Sequence, residues 1–161
     1  MSNKNLKDFD EKKLFVKLID SNSVLAEVFP FFTSYKIFFD SQIKCYGFYY
    51  NGELVAVSAV IPEDADISEG FISVGCPIIY VFEVREDLRG KGLGRKCAEL
   101  LINKVIEDDT IQLCCTPFVA PFWEKVGFEL KFIDQSLYMH KMVLKKRKNA
   151  SINSKKQIEK N

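Results

Sequence analysis

The sequence has few of the residues that hold metals, and it has no run long enough to cross a membrane. Its 161 residues include a single histidine, His140, and five cysteines at positions 45, 76, 97, 114 and 115. No two of these cysteines stand in C-x-x-C spacing, so a zinc site is not expected. An odd count of scattered cysteines fits reduced thiols in a core, and so a cytoplasmic protein. No apolar stretch approaches the roughly 18 residues of a membrane helix. The first residues, Met1 to Asp8, lack the apolar core of a secretory signal. No internal repeat is present.

Charge of one sign is also missing overall, since 23 Lys and Arg against 22 Asp and Glu leave +1. The distribution is uneven. Residues 145–161 carry seven basic side chains against Glu159 alone, so +6, which leaves −5 for residues 1–144. This tail has almost no apolar residues, and it reads as a basic, flexible extension appended to one folded domain, 1–144. A basic tail can touch nucleic acid; a solubilising role is the reading preferred here, and nucleic acid is not an expected partner. With 47% hydrophobic residues, fourteen phenylalanines and six tyrosines, the remaining chain can fill one sizeable core.

The informative stretch is Tyr80 to Glu107, YVFEVREDLRGKGLGRKCAELLINKVIE. It opens as a β-prone run, Ile78 to Phe82, after Gly75 and Pro77. It then passes through glycines at 90, 92 and 94. From Leu93 the apolar residues change period, and Leu93, Cys97, Leu100, Leu101 and Val105 recur at helical spacing, predicting a helix over 93–107. A strand, a glycine loop and a helix together present free backbone N–H groups at a helix N-terminus, and such groups bind phosphate. A nucleoside-triphosphate loop would need Lys then Ser or Thr after the last glycine, whereas Arg95 and Lys96 follow Gly94. A dinucleotide fingerprint fails as well, because Arg95 and Cys97 occupy the places its last glycine would take.

What fits is R-x-x-G-x-G, as Arg89-Gly90-Lys91-Gly92-Leu93-Gly94. About thirty residues on comes Pro121-Phe122-Trp123-Glu124-Lys125-Val126-Gly127-Phe128-Glu129. Together these two blocks resemble the GNAT superfamily of N-acetyltransferases, the first its pyrophosphate loop for acetyl-coenzyme A and the second its "FYEKxGF" segment.

The rest of the chain follows a mixed pattern. Apolar residues at 14, 15, 18, 19 and then 24, 25, 28, 29 suit one or two amphipathic helices within 8–29, broken near Ser21-Asn22-Ser23, and Pro30 interrupts. Residues 35–45 match no regular pattern. Phe48-Tyr49-Tyr50, Asn51-Gly52 and Leu54 to Val60 read as a hairpin, for which Asn-Gly is the strongest short signal. An acidic loop at 62–70 and a strand at 71–74 precede the 78–84 strand. Strands are expected at 111–115, 128–133 and 137–144, with a short helix from Pro121 closed by Gly127. The order predicts an α/β (mixed α+β) fold. It is similar to the GNAT fold, a central mixed, mostly antiparallel sheet flanked by helices, from about Leu14 to Leu144.

The resemblance implies an acyltransferase that moves the acetyl group of acetyl-CoA to a primary amine by direct transfer, with no metal. By that resemblance Phe82 and Val84 offer main-chain contacts to the pantetheine arm. The amides of Gly90, Lys91, Gly92, Leu93, Gly94 and Arg95 take the pyrophosphate, with Arg89 and Arg95 adding charge. Glycine at 92 and 94 keeps a Cβ from holding the backbone off the phosphate oxygens. The Val84 N–H would polarise the thioester carbonyl, and Glu83 is the carboxylate placed to act as general base.

The chain departs from the family where relatives carry a tyrosine acid, since Trp123 stands there and its indole N–H cannot deliver a proton. Thr116 likewise replaces a frequent asparagine. Trp123 is therefore expected to line the cofactor or acceptor pocket, with Tyr138, Tyr80 or solvent protonating the thiolate. His140 is read as structural. The acceptor is not legible, because loops 30–45 and 62–70 match no motif, and a homodimer is left open. The departure at Trp123 keeps an alternative open, a non-catalytic acyl-CoA-binding module of the same fold.

Overall fold

The computed structural model describes residues 8–35, 42–65 and 75–146. Seven strands form one sheet: β1 (Leu14–Leu18), β2 (Lys44–Tyr50), β3 (Glu53–Ile61), β4 (Ile78–Val84), β5 (Thr110–Cys115), β6 (Glu129–Asp134) and β7 (Met139–Lys145). Their order across the sheet is β1-β2-β3-β4-β5-β7-β6. Every pairing is antiparallel except β4 with β5, which run parallel. A parallel pair needs a crossover, and helix α2 (Leu93–Leu100) supplies it. Two other helices, α1 (Pro30–Ser34) and α3 (Ala120–Val126), complete the mixed, mostly antiparallel architecture.

The hairpin forms as its sequence predicts. Asn51 and Gly52 both adopt positive φ, 52° and 80°, the backbone of a two-residue turn whose twist matches the strands. Gly127 closes α3 in the left-handed region at φ 119° and donates to the Trp123 and Glu124 carbonyls at 3.1 and 3.0 Å. The α2 periodicity runs past Leu100 into a π-helical turn, Leu101–Val105, with Ile106 N–H donating to Leu101 O at 2.9 Å. That wider turn keeps Leu101, Ile102 and Ile106 all buried, so the regular helix is shorter than the 93–107 expected.

The N-terminal expectation is corrected. Leu14 to Leu18 is not a helix but a strand paired antiparallel with β2, Leu14 opposite Tyr50 and Leu18 opposite Tyr46. Its apolar pattern serves either period over so short a run. A free edge on β2, about thirty residues downstream, decides for the strand, on which Leu14 and Val16 pack against the core. The expected break at Ser21–Ser23 is a 3-10 turn capped by Asp20. Pro30 does not interrupt a helix; it begins α1 at the first helical position, where its missing N–H costs nothing. The expected strand at 71–74, most of the 62–70 loop and residues 147–161 lie outside the described residues. β7 carries into the proposed tail as far as Lys145, and the next residue, Lys146, donates its N–H to Asp109 O at 2.8 Å.

The sheet has a core on each face. On one, α2 and α3 cover a cluster that includes Phe48, Ile79, Cys97, Leu101, Ile111, Trp123 and Met142. On the other, α1 and its approach bury Phe29 and Phe32 against Val57, Ala59 and Val81. Because strand side chains alternate faces, β3 and β4 feed both. Phe32 is completely buried in the smaller cluster, so Phe32→Ala removes a large share of what holds α1 down. The expected cost is about 3–5 kcal/mol, read from the shift of the urea unfolding midpoint at unchanged slope.

Candidate active site

Strand β4 is paired along its whole length on one edge and only at its start on the other. With β5 it pairs at Ile78 opposite Gln112 and Ile79 opposite Leu113, and there the pairing stops. With β3 it continues to Val84 opposite Ala56, and Arg85 N–H donates to Val55 O at 2.9 Å. In an antiparallel ladder hydrogen-bonded and non-hydrogen-bonded pairs alternate. Residue 85 bonding to β3 therefore turns the N–H and C=O of Val84 and Phe82 the other way, towards β5. Since β5 has diverged, these groups face a slot in the middle of the sheet. An irregularity opposite Ala59 and Val60 adds Tyr80 as an extra residue between Ile79 and Val81, and such a bulge marks where the strand bends. An extended chain entering the slot can pair with β4 as an added strand.

The slot ends at the N-terminus of α2. Beyond β4 a turn at Glu86–Leu88 leads into the loop, and Gly92 caps α2 with a left-handed φ of 83°. The first helical bond runs from Lys96 N–H to Gly92 O at 3.3 Å, so the amides of Leu93, Gly94 and Arg95 have no partner within the helix. A Cβ on Gly94 would sit 2.9 Å from Val84 Cγ2 and 3.6 Å from the Phe122 ring. The two glycines thus have local reasons beyond room for a phosphate. Gly92 supplies a backbone that side chains disfavour, and Gly94 lets α2 lie directly on the last residue of β4.

The basic side chains of the loop and of the first turn of α2 already have partners. Arg89 Nε donates to Val84 O at 2.9 Å, and its Nη2 stands 3.6 Å from Glu83 Oε2. Arg95 pairs with Glu99 at 3.0 Å and Lys91 Nζ reaches Asp87 O at 3.4 Å. Arg89 is still 52% exposed, leaving outward donors for an anion.

Glu83 has an occupation that no local pattern announced. Its side chain is 3% exposed, and it accepts the Phe32 N–H at 2.8 Å and the Phe31 N–H at 3.3 Å. It therefore caps α1 from 51 and 52 residues away, a helix whose own N-cap residue, Phe29, offers no side-chain bond. Trp123 is 4% exposed, with its ring against Phe82, Phe122 and Phe128 at 5.4, 4.9 and 5.4 Å. It is a core residue behind the slot strand and offers a ligand little surface. Tyr138 sits in the turn joining β6 to β7, 78% exposed, with β5 and β7 between β4 and that hairpin's outer strand. Tyr80 is partly exposed and edge-on to Tyr35 at 5.5 Å, and Tyr35 is edge-on to Phe31 at 5.0 Å. These α1 residues, with Phe122, are neighbours of the site that sequence reasoning did not single out.

Thr116 follows β5 and accepts the Val119 and Ala120 amides that open α3. His140 lies opposite Cys115 in the β5–β7 pairing. Burial pushes the Cys97 thiol up to about 12 and the Cys115 thiol up to about 11. It also raises Cys114, against the pull of Lys141. These thiols remain protonated at neutral pH and are poor nucleophiles. All five cysteines are free thiols. Among the described residues no three His, Cys, Asp or Glu side chains are grouped to hold a metal ion, and no helix is long and apolar enough to cross a membrane.

No curated protein matches the chain. Solved structures do. An acetyltransferase of Bacillus subtilis in complex with CoA superposes with a TM-score of 0.62 at 18% identity, over 83% of this chain and 99% of that one. A GNAT family acetyltransferase from Elizabethkingia anophelis with acetyl-CoA bound gives 0.60 at 13% identity, over 83% and 98%. The aminoglycoside acetyltransferase AAC(6')-Ib in complex with coenzyme A gives 0.61 at 18%, over 82% and 94%. At such identities the likeness is one of fold. The family model for the GNAT acetyltransferases matches residues 13–128, a span that holds β1 through α3, the slot and the glycine loop, and the chain belongs to that family.

Proposed function

We propose that the protein is an N-acetyltransferase that moves the acetyl group of acetyl-CoA to a primary amine within one ternary complex. The observation that carries this reading is the β4 slot that runs into the N-terminus of α2. An amide-bearing arm can pair with the main chain of Phe82 and Val84 while its pyrophosphate meets the amides from Gly90 to Arg95. Arg89, Lys91 and Arg95 add positive charge at that end. The relatives crystallised with CoA or acetyl-CoA share this fold, which supports the assignment.

Helix α2 packs on β4 from one face and α1 from the other, so the amine approaches from the α1 face. There Phe31, Tyr35 and Tyr80 form its wall. A slot-facing N–H of β4 polarises the thioester carbonyl, the amine nitrogen bonds to the acetyl carbon, and the C–S bond breaks. The amine releases its proton to solvent water, and the departing thiolate takes one from a phenol that solvent then reprotonates. Of the tyrosines considered for that delivery, Tyr80 lies at the head of the slot and Tyr138 does not, so Tyr80 is the acid of this reading. Burial and the neighbouring Tyr80 hold the Tyr35 phenol above its ordinary range, so Tyr35 serves as a neutral wall.

A second reading, an acyl-CoA-binding module without turnover, is favoured by the engaged Glu83 carboxylate and the buried Trp123. Acetyl-CoA consumption against polyamines, aminoglycosides, amino acids and peptide N-termini separates the two. Turnover with any amine supports the transferase, and CoA binding with none supports the module.

Three outcomes are expected. Gly92→Val, which forces a side chain into a left-handed backbone, lowers acetyl-CoA affinity by about tenfold or more, a cost of roughly 1.4 kcal/mol; calorimetry showing wild-type affinity would remove the loop from the pyrophosphate site. Tyr80→Phe lowers kcat by about 100-fold if the phenol delivers the proton, with acetyl-CoA affinity unchanged, whereas wild-type turnover assigns that proton to solvent. Cys114→Ala and Cys115→Ala each keep transfer within about tenfold, since a direct reaction needs no acyl carrier. A kinetically competent acetyl-cysteine, trapped by acid quench and mass spectrometry, excludes direct transfer.

A further inference from the structure

Among the described residues, Glu83 is the one carboxylate that touches both halves of the site. Its Oε1 accepts the Phe32 N–H at 2.8 Å, and its Oε2 accepts the Phe31 N–H at 3.3 Å while facing Arg89 Nη2 at 3.6 Å. Phe31 and Phe32 are the second and third residues of α1, whose amides cannot bond within their own helix. Arg89 begins the glycine loop, and its Nε is fixed on Val84 O. One line of polar contacts therefore runs from the cofactor loop, through a buried carboxylate, to the helix that walls the acceptor side.

We propose that Glu83 is a positioning residue through which binding of CoA at the glycine loop orders α1 for the amine acceptor. This rests on the reading of that loop as the pyrophosphate site. The gap of 3.6 Å between Arg89 and Glu83 is longer than a closed N–H···O bond, so the pair is poised and not locked. A guanidinium is a planar fork of five N–H donors. With Nε spent on Val84 O, a phosphate oxygen on the outward Nη donors fixes the plane of the fork and with it the inward Nη2. Once the fork is held, closing onto Glu83 costs less ordering, and a carboxylate held by Arg89 is held more firmly against the two α1 amides. The coupling works in both directions, because a better-ordered Glu83 also favours the Arg89 geometry that receives phosphate.

This assigns Glu83 a task other than direct proton abstraction, and the two make different demands. A general base acts on turnover; a positioning residue acts on how well the acceptor is received. Exposed Arg89 supplies the conservative test, because its replacement leaves the buried carboxylate and its two amide partners in place.

The experiment is amide hydrogen exchange of the full chain at Phe31 and Phe32, with and without saturating CoA, in the wild type, Arg89→Gln and Glu83→Gln. Calorimetry on the same samples reports CoA binding. In the wild type CoA is expected to slow exchange at both amides by about fivefold or more, and in Arg89→Gln the slowing disappears while CoA still binds at saturation. In Glu83→Gln the acceptor KM rises by about fivefold or more, with kcat at saturating acceptor within about twofold of the wild type. Absence of CoA binding in the wild type overturns the reading of the loop. Binding without slowed exchange, or slowing that survives in Arg89→Gln, overturns the coupling alone. A fall in kcat of about 100-fold or more in Glu83→Gln with acceptor KM unchanged makes Glu83 the base and likewise ends the proposal.

Discussion

The rest of the site depends on one constraint, that β4 is paired to its end on one edge and unpaired beyond Ile79 on the other. Main-chain N–H and C=O groups left without partners inside a protein are costly, and a slot through the middle of a sheet invites collapse. Two features hold it open. The register irregularity at Tyr80 bends β4 away after its second pairing with β5. Then α3, which begins five residues after β5 ends, sets Phe122 and Trp123 against Phe82, an aromatic wedge between helix and strand on one face of the sheet. Arg89 satisfies the Val84 carbonyl, so part of the exposed backbone is already served by the loop that follows it.

The aromatic wedge explains why a tryptophan stands at position 123. Edge-to-face contacts with Phe82, Phe122 and Phe128 join α3 to β4 and to the start of β6, and such pairs add about 0.5–1.5 kcal/mol each beyond area burial. A ring of this size at the back of the slot strand is a structural asset to a site with a missing strand pairing. The same packing explains Gly94, where any side chain would meet Val84. The loop, the strand and the wedge are a single packed unit, and a change in any of them alters the width of the slot.

On the other face the arrangement is polar at its centre. A five-residue helix is marginal by itself, and α1 has no side-chain cap of its own. Glu83 supplies that cap from within β4, and Phe29 and Phe32 fill the smaller core around it. In the proposed reaction the wall facing an amine is thereby fixed to the strand that would also carry the cofactor contacts. The two faces are not independent patches brought together by chance, since residues 82 and 84 of β4 turn their side chains to the α2 and α3 face and residues 81 and 83 to the α1 face.

The sequence alone determined the features whose cause is local. Asn51-Gly52 demands a left-handed turn and forms the hairpin. The strand, glycine loop and helix from Ile78 onward need only the change of hydrophobic period and the backbone freedom of glycine. Gly127 ends α3 for the same reason. What the tertiary structure decided has its cause far along the chain. Leu14 to Leu18 became a strand because β2 offered an edge. Pro30 became a helix start, and Glu83 a helix cap, because residues 51 and 52 positions apart came within hydrogen-bond distance. Trp123 became core because Phe82 lay opposite it. Periodicity and turn chemistry are written residue by residue. A carboxylate's role is set by whichever donors the fold brings to it, and no short stretch of sequence contains them.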